Sequence, residues 1–219
     1  MKERGMIFNG EMTRAILDGR KTQTRRPIKW KQTRFTEIGE REDGSKWPWS
    51  EDAERACDFW HPCPFGAVGD RIWVRETFCP VDDTQYGGEK WVDYRATPKF
   101  EASHPAGWDC APNDAEALKW RPSIHMPRWA SRILLEITNV GVQRLQDISS
   151  GDAVREGIYQ LPASGRYCIS PGDQYFGWAS HSAKEVYSWL WSSIYGEENW
   201  KANPWVWVIE FKRVEGGAA

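Results

Sequence analysis

The run GRKTQTRR, Gly19–Arg26, and the run GDRIWVRET, Gly69–Thr77, carry the polar residues around which the rest of the chain is organised. The first run places Lys21, two threonines and two arginines directly after a helix-like pattern. The second run carries Glu76 in a segment whose alternating apolar residues indicate a strand. A lysine, a hydroxyl and a carboxylate can form a small polar active site, although the same residues also fit a basic turn followed by an ordinary strand.

The residues before Gly19 predict a strand followed by a helix. Residues 5–9 indicate a short strand, and residues 11–18 place apolar side chains on one helical face, with Asn9 or Gly10 as the N-cap. Gly19 is expected to end this helix, because glycine readily adopts the left-handed conformation that follows a helix.

The residues after Gly19 set a condition for the site. Residues 21–27 alternate and end in proline, which indicates an extended segment or a strand. Successive side chains of a strand point to opposite faces, so Lys21 and Thr24 would face opposite ways on a regular strand. The backbone between them therefore has to bend if the two residues act together.

The rest of the pattern predicts more strand than helix. Strand-like runs cover residues 71–78, 91–96, 131–144 and 205–211, and helical patterns cover residues 152–156 and 183–195. This order predicts a mainly β fold with helices, of the α+β class, built as a small and mostly antiparallel β-barrel. βαβ alternation and a glycine-rich phosphate loop are both missing from the sequence, which excludes dinucleotide-binding and kinase-like proteins.

Three stretches are interpreted as long loop insertions into a single domain that covers residues 1–215. They are polar or rich in proline and glycine, and they lie near residues 30–66, 98–119 and 158–180. Residues 216–219 predict a disordered tail.

The composition indicates a soluble protein of the cytoplasm. The chain has 219 residues, 29 Lys and Arg against 31 Asp and Glu, and a net charge of -2. Proteins that bind long nucleic acids usually carry a basic excess, so this balance argues against such a role, although a local basic patch can exist within it. No apolar run is long enough to span a membrane, and the start at Met1–Arg4 does not resemble a signal peptide. The fifteen tryptophans can fill a core, line a pocket or stack on nucleobases.

The cysteines indicate free thiols in a reducing compartment. Five are present, an odd number without CxxC spacing: Cys57, Cys63, Cys79, Cys110 and Cys168. Cys57, His61, Cys63 and Cys79 are candidate metal ligands, but the spacing of Cys57 and Cys63 fits no common zinc site. We therefore expect no metal.

The chain resembles the ASCH domain family of the PUA-like superfamily. The resemblance rests on Gly19-x-Lys21-x-x-Thr24-x-Arg26 after the first helix, and on Gly69-Asp70 before a strand-like run that ends in Glu76. Further segments, at residues 123–132, 145–148 and 203–208, are similar to longer phage and prophage members of the family. The likeness covers most of the chain and leaves the three insertions as its variable parts.

This resemblance implies a small PUA-like barrel and two kinds of function, since such barrels occur in RNA-binding proteins and in enzymes. Small ASCH enzymes hydrolyse the amide of N4-acetylcytidine with a lysine, a threonine and a glutamate. Their positions correspond here to Lys21, Thr24 and Glu76, and Thr22 offers a second hydroxyl nearby. The resemblance implies neither a metal nor an organic cofactor.

Amide hydrolysis suggests a role for each of these residues. Thr24 would be the nucleophile, Lys21 its base, and Glu76 the group that orients Lys21 and shuttles the proton. Alternatively, Glu76 accepts the proton and Lys21 stays cationic to hold the oxyanion. A third interpretation is structural: Lys21 and Glu76 form a salt bridge, and Thr24 is an ordinary strand residue.

Six further residues are candidates for substrate binding, as contacts to a phosphate, a nucleobase carbonyl or a base ring: Arg25, Arg26, Arg75, His125, Arg128 and Trp129. The expected partner is a small modified nucleoside with an N4-acylated pyrimidine. The alternative function is an RNA-binding module, or a ribonuclease, that reads modified or structured RNA through a basic, aromatic groove. Its RNA affinity would weaken steeply with salt. The sequence leaves the oligomeric state open.

Overall fold

A computed structural model describes residues 1–29, 36–52, 57–82, 84, 88–99 and 119–214. The chain is an α+β protein with 36% strand and 27% helix, which confirms the predicted class. The strands of the described residues form four separate sheets, and none of these sheets closes into a barrel. The predicted closed barrel is therefore not confirmed.

Twelve strands and four α-helices make up the described part of the chain. In chain order they are β1 (Glu3–Ile7), α1 (Gly10–Leu17), β2 (Gln23–Pro27), β3 (Thr36–Glu40), β4 (Lys46–Asp52), β5 (Cys57–Trp60), β6 (Arg71–Arg75), β7 (Phe78–Asp82), β8 (Lys90–Tyr94), β9 (Leu134–Arg144), α2 (Ser150–Arg155), β10 (Tyr159–Gln160), β11 (Tyr167–Cys168), α3 (Ala183–Tyr195), α4 (Glu197–Lys201) and β12 (Trp205–Val214). Short 3-10 turns lie at Ser123–His125, Arg128–Ala130, Leu145–Asp147 and Pro171–Phe176.

The main sheet has five strands in the order β1-β6-β9-β12-β2. β1 and β6 are parallel, and the other three pairs are antiparallel. The two edge strands approach each other at one point, where the Arg26 guanidinium donates a hydrogen bond of 2.7 Å to the carbonyl of Ile7. The sheet thus curves towards closure but leaves a seam between β1 and β2.

The core lies on both faces of this sheet. Ile72, Val74 and Leu135 belong to one buried cluster, and the alternation of buried positions along β6 shows how period-2 patterning directs them inward. On the other face, α3 packs Val186 and Trp191 against the sheet in a second cluster. The helix predicted over 183–195 is confirmed, since its apolar residues recur at helical spacing.

Local end signals place the first helix. The Asn9 side chain accepts a hydrogen bond of 2.8 Å from the backbone N–H of Met12, which confirms the predicted cap. Gly19 follows the helix with a φ of 76°, the left-handed conformation expected of a helix stop. The first strand begins at Glu3, earlier than predicted, because it pairs with β6 from Glu3 onward.

The strand predicted over residues 71–78 is divided. β6 ends at Arg75, and β7 begins at Phe78 in a separate two-stranded sheet with β8. Glu76 lies between the two strands, and its backbone N–H points to the sulfur of Met126 at 3.3 Å. At Glu76 the chain passes from the five-stranded main sheet to the two-stranded β7–β8 sheet. The alternation of apolar residues in the sequence does not indicate this change.

The first insertion has more structure than the predicted loop. β3, β4 and β5 form a three-stranded antiparallel sheet between residues 36 and 60. Trp47 of β4 packs edge-on against Trp207 of β12, with ring centroids 5.0 Å apart, so the insertion contributes to the main core. Burial of a large ring therefore outweighs the local polar and proline-rich composition.

The other two insertions differ in how much the structure describes. Residues 158–180 contain the short β10–β11 hairpin and the Pro171–Phe176 turn. Most of the predicted insertion at 98–119, residues 100–118, and the predicted tail at 216–219 lie outside the described residues. In the described ranges, no helix is both long and apolar enough to cross a bilayer.

Candidate functional site

Lys21 and Thr22 precede the regular strand that carries Thr24. The N–H of Lys21 donates to the carbonyl of Ala15 at the end of α1, and the N–H of Thr22 donates to the carbonyl of Arg155 in α2, both at 2.9 Å. The regular strand β2 begins only at Gln23. Lys21 is therefore outside the alternation that would have directed it away from Thr24.

Lys21 is buried and fully hydrogen-bonded. Its Nζ donates to the carbonyl of Gln23 at 2.8 Å, to the carbonyl of Glu156 at 2.7 Å and to Oε2 of Glu156 at 2.7 Å. Three acceptors match the three protons of an ammonium group. Burial lowers the pKa of Lys21, and the contact with Glu156 offsets part of this effect. The group is a paired cation that gives up a proton more readily than an exposed lysine does.

Glu156 is the carboxylate of this site. It lies at the C-terminal end of α2, and its side chain is 2% exposed. Oε2 accepts from Lys21, and Oε1 accepts from the Arg25 guanidinium at 3.0 Å. Arg25 is held in turn by Gln23 at 2.6 Å and, with the Gln143 amide oxygen turned towards it, by Gln143 at 2.9 and 2.5 Å. A buried carboxylate with two cations forms a network with little freedom to move.

Gly157 lets α2 approach Lys21 closely. Its φ is 106°, and a Cβ there would lie 3.0 Å from the Cβ of Ala15 and 3.4 Å from the Cβ of Lys21. The carbonyl of Gly157 also accepts a hydrogen bond of 2.8 Å from Arg20. Only glycine satisfies both the backbone conformation and the close packing without strain. The ends of α1 and α2 are thereby fixed against each other around Lys21.

Thr24 lies next to this network on β2. It is 1% exposed and pairs with Ile209 of β12. A space of about 10 Å³ is bordered by Thr24, Glu156 and Tyr187, together with neighbouring residues of α1, β2 and α3. Such a volume holds about one water molecule. Thr24 and Glu156 thus border the same small space. Lys21 is hydrogen-bonded to Glu156.

Glu76 has a different partner from the predicted one. Its two carboxylate oxygens accept from Nε and NH2 of Arg132, both at 3.0 Å, and the Arg132 guanidinium lies 3.9 Å from the Tyr94 ring centroid. Burial raises the pKa of Glu76, and Arg132 opposes this shift. Two strands, β9 and β12, separate β6 from β2 in the sheet, so Lys21 pairs with Glu156 instead. The predicted Lys21–Glu76 partnership is corrected accordingly.

A cavity of about 560 Å³ opens beside the small space and shares Arg26 and Tyr195 with it. The NH1 of Arg26 donates to the Tyr195 hydroxyl at 3.3 Å, so these two side chains stand between the cavity and Thr24. Nε of Arg26 is buried and has no hydrogen-bond partner in the described structure. A buried guanidinium N–H that lacks an acceptor is a strong candidate for binding a ligand oxygen.

The six predicted binding residues divide into three groups. Arg26 and Arg75 line the cavity, whereas Arg25 is buried as a partner of Glu156. The other three lie elsewhere: His125 and Trp129 are exposed, and Arg128 bonds Glu3 at 2.9 Å. None of these three borders the cavity in the part of the chain that the structure describes.

Sequence reasoning missed the role of Glu156, although a signal for it exists. A carboxylate at the C-terminal end of a helix is opposed by the helix dipole, which favours cations there. Glu156 occupies this unfavourable position immediately before Gly157 and is nevertheless buried. An acidic residue at a helix C-terminus therefore indicates a partner elsewhere in the fold, and Lys21 and Arg25 are those partners.

The residues that the structure describes contain no group of three or more His, Cys, Asp or Glu side chains arranged to hold a metal ion. His61, near the predicted cysteines, has its Nε2 2.9 Å from the Ser50 hydroxyl. Among known proteins, no family model, no curated protein and no solved structure matches the chain.

Proposed function

We propose that the chain is an ASCH-type amidohydrolase that removes the acyl group from N4-acetylcytidine or a related N4-modified pyrimidine nucleoside. The observation that carries this proposal is the buried pair of Lys21 and Glu156, whose carboxylate residue borders the same small space as Thr24. The finer fold assignment, a PUA-like barrel, belongs to the same proposal. It is supported by the curved five-stranded sheet whose edges meet at Arg26.

The pair supplies a base for the threonine hydroxyl. Lys21 reacts as the neutral amine, and it gives up its proton more readily than an exposed lysine because burial penalises its charge. Glu156 accepts the hydrogen bond of 2.7 Å that holds Nζ of Lys21 in place. The amine then takes the proton of the Thr24 hydroxyl as its oxygen attacks the acyl carbon. The carbonyl electron pair moves to oxygen and forms the oxyanion.

The buried N–H of Arg26 is suited to stabilise that oxyanion. Thr24 and Arg26 are two residues apart on β2, so both side chains point to the same face of the strand. Both border the small space, and the Nε of Arg26 has no acceptor of its own. A donor aimed at the developing charge in a site without water is worth far more than in solution.

The remaining steps return every group to its starting state. The oxyanion collapses, the bond between carbon and N4 breaks, and the Lys21 ammonium gives N4 a proton, which releases cytidine. Water then hydrolyses the acyl-Thr24 ester with the same base and releases the carboxylic acid. Amide and water thus become cytidine and acid, without a metal or an organic cofactor among the groups that act.

Substrate access requires a side-chain movement. The space at Thr24 holds about one water molecule, so an acylated pyrimidine enters from the larger cavity. Arg26 and Tyr195 form the boundary and have to separate by breaking their 3.3 Å contact. This contact is long for a hydrogen bond and is correspondingly weak.

The test is release of cytidine from N4-acetylcytidine by the purified chain, followed by ultraviolet absorbance. We expect Thr24→Val to lower kcat by on the order of 10³-fold, since it removes the nucleophile with little change in shape. Thr22→Val is the matched control, because Thr22 borders neither space. The proposal is wrong if the wild type releases no cytidine from a panel of N4-acyl substrates, or if Thr24→Val keeps the wild-type rate.

A further inference from the structure

The large cavity carries a positive wall, of which the proposed hydrolysis uses only Arg26. It lies between β1, the end of β2 and the segment His61–Phe65 of the first insertion. Arg26, Lys29 and Arg75 line it, and no described Asp or Glu does. The chain has a net charge of -2, so this is a local accumulation and not a general basic surface.

These cations are not neutralised by neighbouring carboxylates. Arg26 donates a hydrogen bond to the main-chain carbonyl of Ile7. Arg75 donates to the main-chain carbonyls of Ser123 and Ile124. Among the described residues, none of the three cations forms an ion pair with an acidic side chain. Hydrogen bonds to carbonyls orient a guanidinium without cancelling its charge, so the cavity wall keeps a positive potential.

Apart from His61 and Tyr195, the remaining lining is apolar and suits a flat ring. Phe65, Ile28 and Trp207 contribute hydrophobic surface, and three prolines of the first insertion complete the wall. Cavities that bind small molecules have this composition, with a few polar groups that fix the ligand, and 560 Å³ falls within their usual size of about 300–1,000 Å³. The volume suits one nucleotide and is small for a folded RNA.

We propose that this cavity binds the 5′-phosphate of a pyrimidine mononucleotide, so that the preferred substrate is an N4-acylated cytidine monophosphate. The inference rests on the proposed hydrolysis at Thr24. The amide lies at Arg26, where the cavity meets the catalytic space, and the ribose extends along the apolar wall. The phosphate binds the cations Lys29 and Arg75, as charge-assisted hydrogen bonds favour.

Binding of the unmodified product tests the subsite without requiring catalysis. Isothermal titration calorimetry with CMP and with cytidine compares two ligands that differ only in the phosphate. We expect CMP to bind about tenfold more tightly or better, with a preference that shrinks as salt is added. Lys29→Ala should narrow the ratio of the two affinities, because it removes an exposed cation from the cavity wall. Lys201→Ala is the control, since Lys201 pairs with Glu197 and Glu198 of α4 and does not line the cavity.

Each outcome decides the proposal. Equal affinities for CMP and cytidine, or no binding of CMP at millimolar concentration, overturn it. A cytidine-containing oligoribonucleotide that binds much more tightly than CMP also overturns it, and favours an RNA ligand. If CMP is preferred but N4-acetylcytidine and its monophosphate are not hydrolysed, the subsite stands and the proposed hydrolysis fails. If N4-acetylcytidine is hydrolysed without a preference for CMP, the hydrolysis stands and the subsite fails.

Discussion

Nζ of Lys21 and Oε2 of Glu156 are 2.7 Å apart although 135 residues separate them in the chain. The side chain of Lys21 is fully buried, and that of Glu156 is 2% exposed. A buried pair of this kind is weak evidence for stability, because desolvation of both charges opposes their attraction. Its position next to a buried hydroxyl and a ligand-sized cavity makes it a functional candidate.

The first prediction separates Glu156 from Glu76. Glu156→Gln keeps the shape but removes the charge that holds the Lys21 amine in place, so we expect kcat on N4-acetylcytidine to fall by about a hundredfold or more. It also leaves Lys21 buried without a carboxylate and Arg25 with only that of Asp152, at 3.5 Å, which should lower the free energy of unfolding by about 3–5 kcal/mol. Steady-state kinetics and urea denaturation measure the two effects.

Glu76→Gln is the matched control, since it breaks another buried pair away from Thr24. Arg132 is 22% exposed and water can solvate it, so we expect a smaller stability loss of about 1–3 kcal/mol. The kcat of the folded variant should stay close to that of the wild type. If Glu76→Gln loses activity and Glu156→Gln keeps it, then Glu76, and not Glu156, is the carboxylate of the active site.

Local signals were sufficient for the elements on either side of the site. Asn9 caps α1, Gly19 ends it, and the helix at Ala183–Tyr195 follows its apolar spacing. Each of these features depends on residues within one or two turns of the chain, where propensity and capping operate.

The partner of each charge could not be predicted in the same way. The sequence offers many cations for Glu76, and only the strand order brings Arg132 to it and Glu156 to Lys21. Sheet order is a property of long-range packing, which periodicity within a strand does not encode. The fold of residues 36–60 was missed for a related reason, since Trp47 gains its burial from Trp207 on a distant strand.

The second prediction concerns the glycine that positions Lys21. Gly157→Ala forces an alanine into a φ of 106° and places its Cβ 3.0 Å from that of Ala15. We expect the free energy of unfolding to fall by about 1–3 kcal/mol, and kcat to fall as well because α2 and Glu156 shift away from Lys21. Urea denaturation and kinetics at a temperature where the variant is folded measure both.

Gly165→Ala controls for backbone strain alone. Gly165 has a φ of 68°, but a Cβ there meets no atom within 4 Å. We expect a stability loss of about 1 kcal/mol and an unchanged kcat. If the two alanine variants have the same kcat, close packing at Gly157 does not position the site.

The third prediction tests the oxyanion role of Arg26. Arg26→Lys keeps the positive charge but removes the Nε donor that has no partner in the described structure. We expect kcat to fall by about 10²–10³-fold, the usual effect of losing one such donor, with a much smaller change in KM. Stopped-flow or steady-state absorbance separates the two parameters.

Arg144→Lys is the corresponding control on the surface. Arg144 also bonds a carbonyl, that of Asn203 at 3.1 Å, and stacks over a tryptophan ring, but it borders neither the cavity nor the space at Thr24. The kcat of the Arg144→Lys variant should match that of the wild type. An Arg26→Lys variant with a raised KM and an unchanged kcat would assign Arg26 to ground-state binding instead.

The fourth prediction is the pH dependence of the rate. Lys21 acts as a base only when neutral, so kcat rises with pH through the titration of Lys21. Burial, with Arg25 and Arg26 nearby, lowers the pKa of Lys21 from its ordinary 10.5, and Glu156 opposes this shift. The midpoint of the rise should therefore lie below 10.5, and a midpoint at or above that value would exclude Lys21 as a desolvated base.

Stability should change with pH in the same direction. Between the lowered pKa of folded Lys21 and its unfolded value of 10.5, the unfolded chain binds more protons than the folded chain. The contribution of Lys21 to the free energy of unfolding therefore rises with pH across that window. This contribution is lost as the pH falls through the pKa of folded Lys21. Lys21→Met removes the titrating group. The unfolding free energy of the wild type minus that of the variant should therefore increase with pH in this window. Urea denaturation at a series of alkaline pH values measures this difference. A difference that is constant or falls with pH would show that folding does not lower the pKa of Lys21.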